Sequence, residues 1–217
     1  MKQRLAQQEA IWEWLVPFAS AQSFRRHSFI YTPSQPAQTL YLLQSGQVSL
    51  QMLSANGRVL TLWLVEPGQL FGHSVLAGSA TYDTFAETAR SVRALAVSRE
   101  RVLQALSEQP ALVLALIEEL GQHRLTVSRR LNEVAFKPVP ARLASLLLDM
   151  ADMCIDDNGQ QSRLPHRTHQ QLAEMVNAYR ETVTKIINQF RAAHLLDIDR
   201  SGITLLNPAR LRELAQG

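Results

Sequence analysis

The residues of this 217-residue chain best equipped for recognition chemistry lie in the segment 168–191, THQQLAEMVNAYRETVTKIINQFR. Arg180, Glu181 and Lys185 place a guanidinium fork, a carboxylate and an ammonium within six residues. A fork matches guanine O6 and N7, a carboxylate accepts from cytosine N4, and an ammonium reaches a second guanine or a phosphate. Such groups read bases only if a helix presents them in register. Val183, Ile186, Ile187 and Phe190 recur at helical spacing and predict a buried stripe, leaving Arg180 at the N-terminal tip and Glu181, Lys185 and Asn188 on the opposite face.

A helix that enters DNA needs a second helix and a tight turn behind it. Thr168 and Gln171 form a T-x-x-Q capping pattern, in which hydroxyl and amide satisfy free N–H groups at a helix start. Ala173 is small where two helices must cross closely, and Asn177 falls at the turn, where Asn accepts a left-handed backbone. A plain solvated helix pair is the alternative, but cap, small residue, turn residue and stripe agree on a helix-turn-helix. Thr168, His169, Gln170, Tyr179 and Thr182 sit about the helix ends and are candidates for DNA-backbone contacts. After them, Leu195, Leu196 and Ile198 predict a short strand, Asp199-Arg200-Ser201-Gly202 a tight turn, and Ile203, Leu205 and Leu206 a return strand.

Arg180-Glu181-Thr182-Val183 followed by Lys185 resembles the recognition helix of the cyclic-AMP receptor protein/FNR (CRP/FNR) superfamily of bacterial transcription regulators. Leu42–Gly46 resembles that family's L-x-x-G strand-turn, and Glu66-Pro67-Gly68-Gln69-Leu70-Phe71-Gly72 its x-P-G-x-x-F-G loop. The resemblance covers nearly the whole chain. It implies an α+β fold: an N-terminal β-roll or jelly roll like a cyclic-nucleotide-binding domain, a long dimerisation helix, and a C-terminal winged helix-turn-helix. The expected boundaries are 1–109, 110–137 and 138–217. The function it implies is sequence-specific regulation of transcription by a homodimer on an inverted repeat of double-stranded DNA, with RNA polymerase as a further partner.

Composition is compatible with this. A net charge of +3 permits nucleic-acid binding without demanding it, and the positive charge is mostly Arg, with Lys only at Lys2, Lys137 and Lys185. No apolar run reaches the roughly 18 residues that span a bilayer. The segment MKQRLAQQEAIWEWLV is too polar for a signal peptide and reads as an amphipathic helix. Cys154 is the one cysteine, so one chain builds neither a disulfide nor a cysteine-ligated zinc or iron–sulfur site. The expected compartment is the cytoplasm.

From about Ser28 to Val97 the pattern is all-β. Val48, Leu50 and Met52 alternate with Gln47, Ser49 and Gln51, which predicts a strand with one wet face. Asn56-Gly57 predicts a hairpin turn before VLTLWLV, and Gly46, Gly68, Gly72 and Gly78 punctuate the rest. Pro110 then opens a long helix. Ile117, Leu120, Val127, Leu131 and Val134, with Arg124 between Leu120 and Val127, form a 3-4 stripe, while Leu112, Leu116 and Leu125 form a second apolar surface. Two such faces need two covers, the β domain and a second copy of the chain; a helix packed only within its own domain is the alternative. Lys137-Pro138-Val139-Pro140 ends the pattern as a hinge, since proline breaks the helical ladder. ARLASLLLDMADMC follows as a helix, and Asp156-Asp157-Asn158-Gly159 as a polar loop.

The expected effector pocket comprises Phe71, Gly72, His73, Tyr82, Asp83, Arg124 and Ser128. Here the chain departs from cyclic-AMP-binding members, which carry a Glu after the F-G pair and an Arg-Ser pair that holds the cyclic phosphate. His73 follows Phe71-Gly72, Tyr82-Asp83 aligns with the Arg-Ser pair, and no Arg or Lys lies between Arg58 and Arg90. A buried phosphate needs a positive partner, and Asp83 would repel it. The expectation is independence from cyclic AMP, with an effector unknown or absent. A regulator gated by 2-oxoglutarate, held by Arg90, Arg124 or Arg129, or by a cyclic nucleotide is the alternative.

No metal or cofactor is expected. His73 and His123 qualify by type as haem ligands, but an isolated His is more often a hydrogen-bonded structural residue. A cupin-like enzyme is a remote alternative: His27, His73, His123, His166, His169 and His194 contain no H-x-H pair, and neither G-x-S-x-G nor a phosphate-binding glycine loop occurs. A winged helix used only for protein contacts predicts no salt-dependent DNA binding. No catalytic residue is assigned.

Overall fold

A computed structural model describes residues 12–78, 81–153, 163–199 and 202–216. Most of the predicted N-terminal helix, Cys154, the 156–159 loop and Arg200-Ser201 lie outside the described residues. The chain forms two compact units, Met1–Leu53 with Thr61–Val127, and Ser54–Leu60 with Ser128–Gly217.

The first unit holds two four-stranded antiparallel sheets. One has the order β1 (Ser20–Phe24), β8 (Val92–Ser98), β3 (Thr39–Ser45), β6 (Leu70–Phe71). The other has the order β2 (Phe29–Tyr31), β7 (Phe85–Thr88), β4 (Val48–Leu53), β5 (Val59–Val65). Alternation along β3 shows why the middle of the first sheet has no wet face. Tyr41 and Leu43 join a core with Val48, Phe71 and Ala86 of the roll interior, while Leu40 and Leu42 join another with Trp12, Leu15, Val102, Leu112 and Leu116. The second core is closed by a 3-10 helix (Glu13–Phe18), by α1 (Arg99–Glu108) and by the start of the long helix α2 (Pro110–Phe136).

Three expectations change. The β region begins at Ser20, because β1 is a mostly exposed edge strand, SAQSF, without apolar alternation; its signal is backbone pairing with β8. Strand β4 has no wet polar face: Gln47 and Ser49 are buried and Met52 is exposed. Gln47 donates to a Glu66 carboxylate oxygen and Gln51 donates to Ser49 Oγ at 3.0 Å, so polar partners replace water there. On α2, Leu112 and Leu116 are buried as expected, but Leu125 is exposed with Ile117, Leu120, Val127 and Leu131. The Asn56-Gly57 turn forms, with Ser54 N–H donating to the Arg58 carbonyl at 2.9 Å.

In the second unit, α3 (Val139–Met153) buries Leu143, Ala144, Leu147 and Ala151 against α4 (His169–Val176), α5 (Arg180–Ala192) and α6 (Pro208–Gln216). A two-stranded wing, β9 (Leu196–Asp199) and β10 (Gly202–Leu205), completes it. Leu164 adds an antiparallel bridge to Ile203, through hydrogen bonds of 2.9 and 3.1 Å.

Candidate nucleic-acid interface and sensor site

The helix-turn-helix is assembled by local chemistry. Thr168 Oγ1 accepts from Gln171 N–H at 3.2 Å, and the Gln171 amide oxygen accepts from Thr168 N–H at 3.0 Å, a complete capping box at the start of α4. Asn177 ends that helix at φ 52° and ψ 55°, and its N–H is held by the Ala173 carbonyl. The left-handed step turns the chain into α5, whose Val183, Ile186, Ile187 and Phe190 are buried together with Leu172, Ala173 and Val176. That burial leaves Arg180, Glu181, Lys185 and Asn188 exposed, and Arg180 is the first residue of α5. Two cations and a carboxylate thus stand on the first turns of a helix whose other side is anchored in a core.

The expected backbone-contact residues are not equivalent. Thr168 and Gln170 are exposed, and Tyr179 is exposed at the N-cap of α5. Thr182 is half-buried. His169 Nδ1 lies 2.9 Å from Thr184 Oγ1, which donates to the Arg180 carbonyl at 2.9 Å. The single hydroxyl proton is thereby committed, so His169 must donate from Nδ1 and Nε2 is its remaining ring nitrogen. Thr184 is a positioning residue that sequence reading missed: it links the two helices through a contact between residues 15 apart.

The expected effector residues differ in their surroundings. Tyr82 is buried and stacks on Tyr31 at 3.8 Å with an 8° interplanar angle. Its hydroxyl donates to the Thr39 carbonyl at 2.9 Å and accepts from Thr39 N–H at 3.2 Å. Phe71 is fully buried in the same aromatic core, against Tyr41 at 5.0 Å. Gly72, at φ 84°, turns the chain from β6 into a 3-10 helix (His73–Ala77), and a Cβ there would meet the Thr39 carbonyl at 2.9 Å. Asp83 accepts a hydrogen bond from Ser74 Oγ at 3.0 Å. Arg124 and Ser128 are exposed. A concavity of about 470 Å³ lined by Pro36, Ala37, Gln38, Gly78, Ser98, Arg99 and Glu100 shares none of these residues.

His73 and His123, expected to be isolated, come together. Their ring centroids are 4.5 Å apart, and Glu119, one turn before His123 on α2, is beside them. One ligand atom from each of the three lies within 4.8 Å of the others. His123 Nε2 is 3.6 Å from Glu119 Oε1, and Trp63 stacks on the His123 ring at 4.9 Å. His73 Nε2 is buried with no hydrogen-bond partner. Burial first, and nearby His123 second, push the His73 pKa down to about 4, so its imidazole is neutral at ordinary pH. Glu119 was missed in the sequence because it stands 46 residues from His73.

The comparisons agree with the two units. The family model of a cyclic nucleotide-binding domain matches residues 21–109, and that of a Crp-like helix-turn-helix domain matches residues 141–214. The chain is 31% identical over 198 residues to the transcriptional regulator SdrP of Thermus thermophilus, covering 89% of this chain and 93% of that one. It is 29% identical over 198 residues to the global nitrogen regulator of Nostoc, covering 88% and 86%. In structure it is similar to the c-di-GMP-responsive regulator CLP of Xanthomonas campestris, at a TM-score of 0.78 and 22% identity, over 90% of this chain and 98% of that one; this match speaks for the fold alone. Among the described residues no helix is long and apolar enough to cross a membrane. A β-roll of the cyclic-nucleotide-binding kind, a long helix and an anchored recognition helix in one chain identify it as a member of the CRP/FNR superfamily, a DNA-binding transcription regulator.

Proposed function

We propose that the protein acts as a homodimer on an inverted-repeat promoter site, independently of cyclic AMP. The observation that carries the reading is the pair of exposed sets: Arg180, Glu181 and Lys185 on α5, and Ile117, Leu120, Val127 and Leu131 on α2. The first set reads bases. Arg180 forks onto a guanine, Glu181 accepts from a cytosine N4, and Lys185 contacts a second guanine or a phosphate. Thr168, His169, Gln170, Tyr179 and Thr182 hold the backbone. The second set, with Arg124 and Val134, meets its symmetry mate, because an exposed apolar stripe of this length on one helix is unfavourable in water. The working division is 1–109 for the β-roll, 110–137 for the dimer helix and hinge, and 138–217 for DNA binding. RNA polymerase is the further partner, the cytoplasm the compartment, and the protein carries no catalytic site.

Independence from cyclic AMP is supported at the aligned phosphate position. By resemblance Tyr82-Asp83 stands where the family's Arg-Ser pair would; the Asp83 carboxylate accepts from Ser74, and Tyr82 stacks on Tyr31. Selection of DNA by the purified protein tests the reading. The expected product is a palindrome with half-sites about one helical turn, roughly 34 Å, apart, built on G-T-G and C-A-C arms. Arg180→Ala should cost about 1–3 kcal/mol per half-site and relax preference at one base step. Equal weakening on specific and random DNA would remove the base-reading role from Arg180.

A further inference from the structure

We propose that His73, Glu119 and His123 form a binding site for one divalent first-row transition ion, built in the β-roll unit where the 3-10 helix after β6 meets α2. The donor set is two imidazoles and one carboxylate, which suits zinc(II), iron(II), cobalt(II) or nickel(II) and leaves coordination positions for water. The inference goes beyond DNA recognition and stands without it.

Three independent features point to an ion. The first is spacing. Glu119 and His123 are four residues apart on one helix, so they share a face, and their ligand atoms are 3.6 Å apart. Metal–ligand bonds of about 2.0–2.2 Å meeting at a tetrahedral angle separate ligand atoms by about 3.4 Å. The pair already stands at that spacing, and a ligand atom of His73 lies within 4.8 Å of both.

The second is the orphaned nitrogen. His73 Nε2 is fully buried with no hydrogen-bond partner, although Glu119 and His123 are beside it. Buried ring nitrogens are nearly always satisfied, and an exception asks for a missing ligand. The unprotonated ring nitrogen of an imidazole offers a lone pair to a metal ion. The third is the shell. Trp63 covers the His123 ring and donates from Nε1 to Gln69 Oε1 at 3.3 Å, so an indole fixed by its own hydrogen bond orients a ligand.

The same contacts argue against a haem held between the two histidines. Trans ligation across an iron keeps imidazole centroids about 6 Å apart with a macrocycle between them. Here they are 4.5 Å apart and mutually tilted by 58°. An ion in this place would tie the residue after the F-G pair to the long helix.

Chelator-treated full-length protein titrated with zinc(II) in a calorimeter tests this. One ion per chain is expected, with a change in Trp63 fluorescence, and cobalt(II) should give visible d–d bands of a low-coordinate nitrogen and oxygen site. Glu119→Gln and His123→Gln, which preserve volume, should each weaken zinc(II) on the order of 100-fold or more and abolish the cobalt(II) bands, while thermal unfolding without metal stays cooperative. A His166→Gln, His194→Gln double variant should bind as wild type does. Absence of stoichiometric zinc(II) and cobalt(II) binding by wild type overturns the proposal. So does wild-type affinity in both Glu119→Gln and His123→Gln. DNA is absent from every arm, so the outcome is independent of the base-reading assignment.

Discussion

Replacing Gly202 by Ala tests how the wing is held to its domain. A Cβ on Gly202 would lie 2.2 Å from the Leu164 carbonyl oxygen, about 1 Å inside ordinary contact. That oxygen accepts from Ile203 N–H at 3.1 Å, and Leu164 N–H donates to the Ile203 carbonyl at 2.9 Å. Relief of the clash must push the two backbones apart and forfeit one or both bonds, worth about 1 kcal/mol each. The backbone at φ +149° adds strain of about 1–3 kcal/mol for any side chain. Reduced freedom of the unfolded chain returns about 0.4–1 kcal/mol. The net loss expected is about 3 kcal/mol, a large share of the stability of a small domain. Gly57→Ala is the control: φ is +74°, but its Cβ meets nothing within 4 Å, so only strain of about 1–2 kcal/mol remains.

The probe must see the right unit. The three tryptophans, Trp12, Trp14 and Trp63, all belong to the first unit, so fluorescence is blind to the wing. Urea unfolding followed by circular dichroism, with amide exchange at Leu164 and Ile203, reports on it instead. Gly202→Ala should lower the transition of the second unit by about 2 kcal/mol more than Gly57→Ala does. Faster exchange should appear at both amides, with the Trp signal unchanged. Equal losses in the two variants, or wild-type exchange at Ile203, would refute the steric reasoning.

Alkaline stability should depend on the aromatic core. Burial first, with nearby Tyr82 second, pushes the Tyr41 hydroxyl up to about 12; burial also raises Tyr31 and Tyr82. The unfolded chain loses these protons near pH 10, so stability is complete below about 10 and falls as pH climbs toward 12. Thermal melts between these limits should show the decline, Tyr41→Phe should make it shallower, and a flat profile would contradict the burial. Light scattering should find a dimer at micromolar protein, and Ile117→Glu with Leu131→Glu should yield monomers; a dimer surviving both charges would move the interface elsewhere. Calorimetry with millimolar cyclic AMP should give no saturable heat, and a micromolar isotherm would overturn the reading of Asp83.

Much of the DNA-binding unit was legible because its signals are local. The capping box spans Thr168 to Gln171, the left-handed step needs only Asn177, and the stripe from Val183 to Phe190 repeats within one helix. Each depends on backbone geometry within about one or two turns, which residue type and spacing dictate directly. The long helix and its break at Pro138 are legible for the same reason.

Contacts between distant segments were not. Strand β1 carries no periodic signal and exists because β8 pairs with it. Gln47 and Ser49 looked solvent-facing, yet packing buries them and supplies Glu66 and Gln51 as partners. The stacking of Tyr82 on Tyr31, 51 residues earlier, had no signal in the sequence. The meeting of His73 with Glu119 and His123 follows from seating α2 on the roll, through Leu112 and Leu116 in the same core as Leu70 and Val75. Type and spacing determined that this chain has a capped, anchored recognition helix. Only the packing of the helix on the sheet decided which distant side chains share a site, because that depends on where two surfaces touch and not on any single segment.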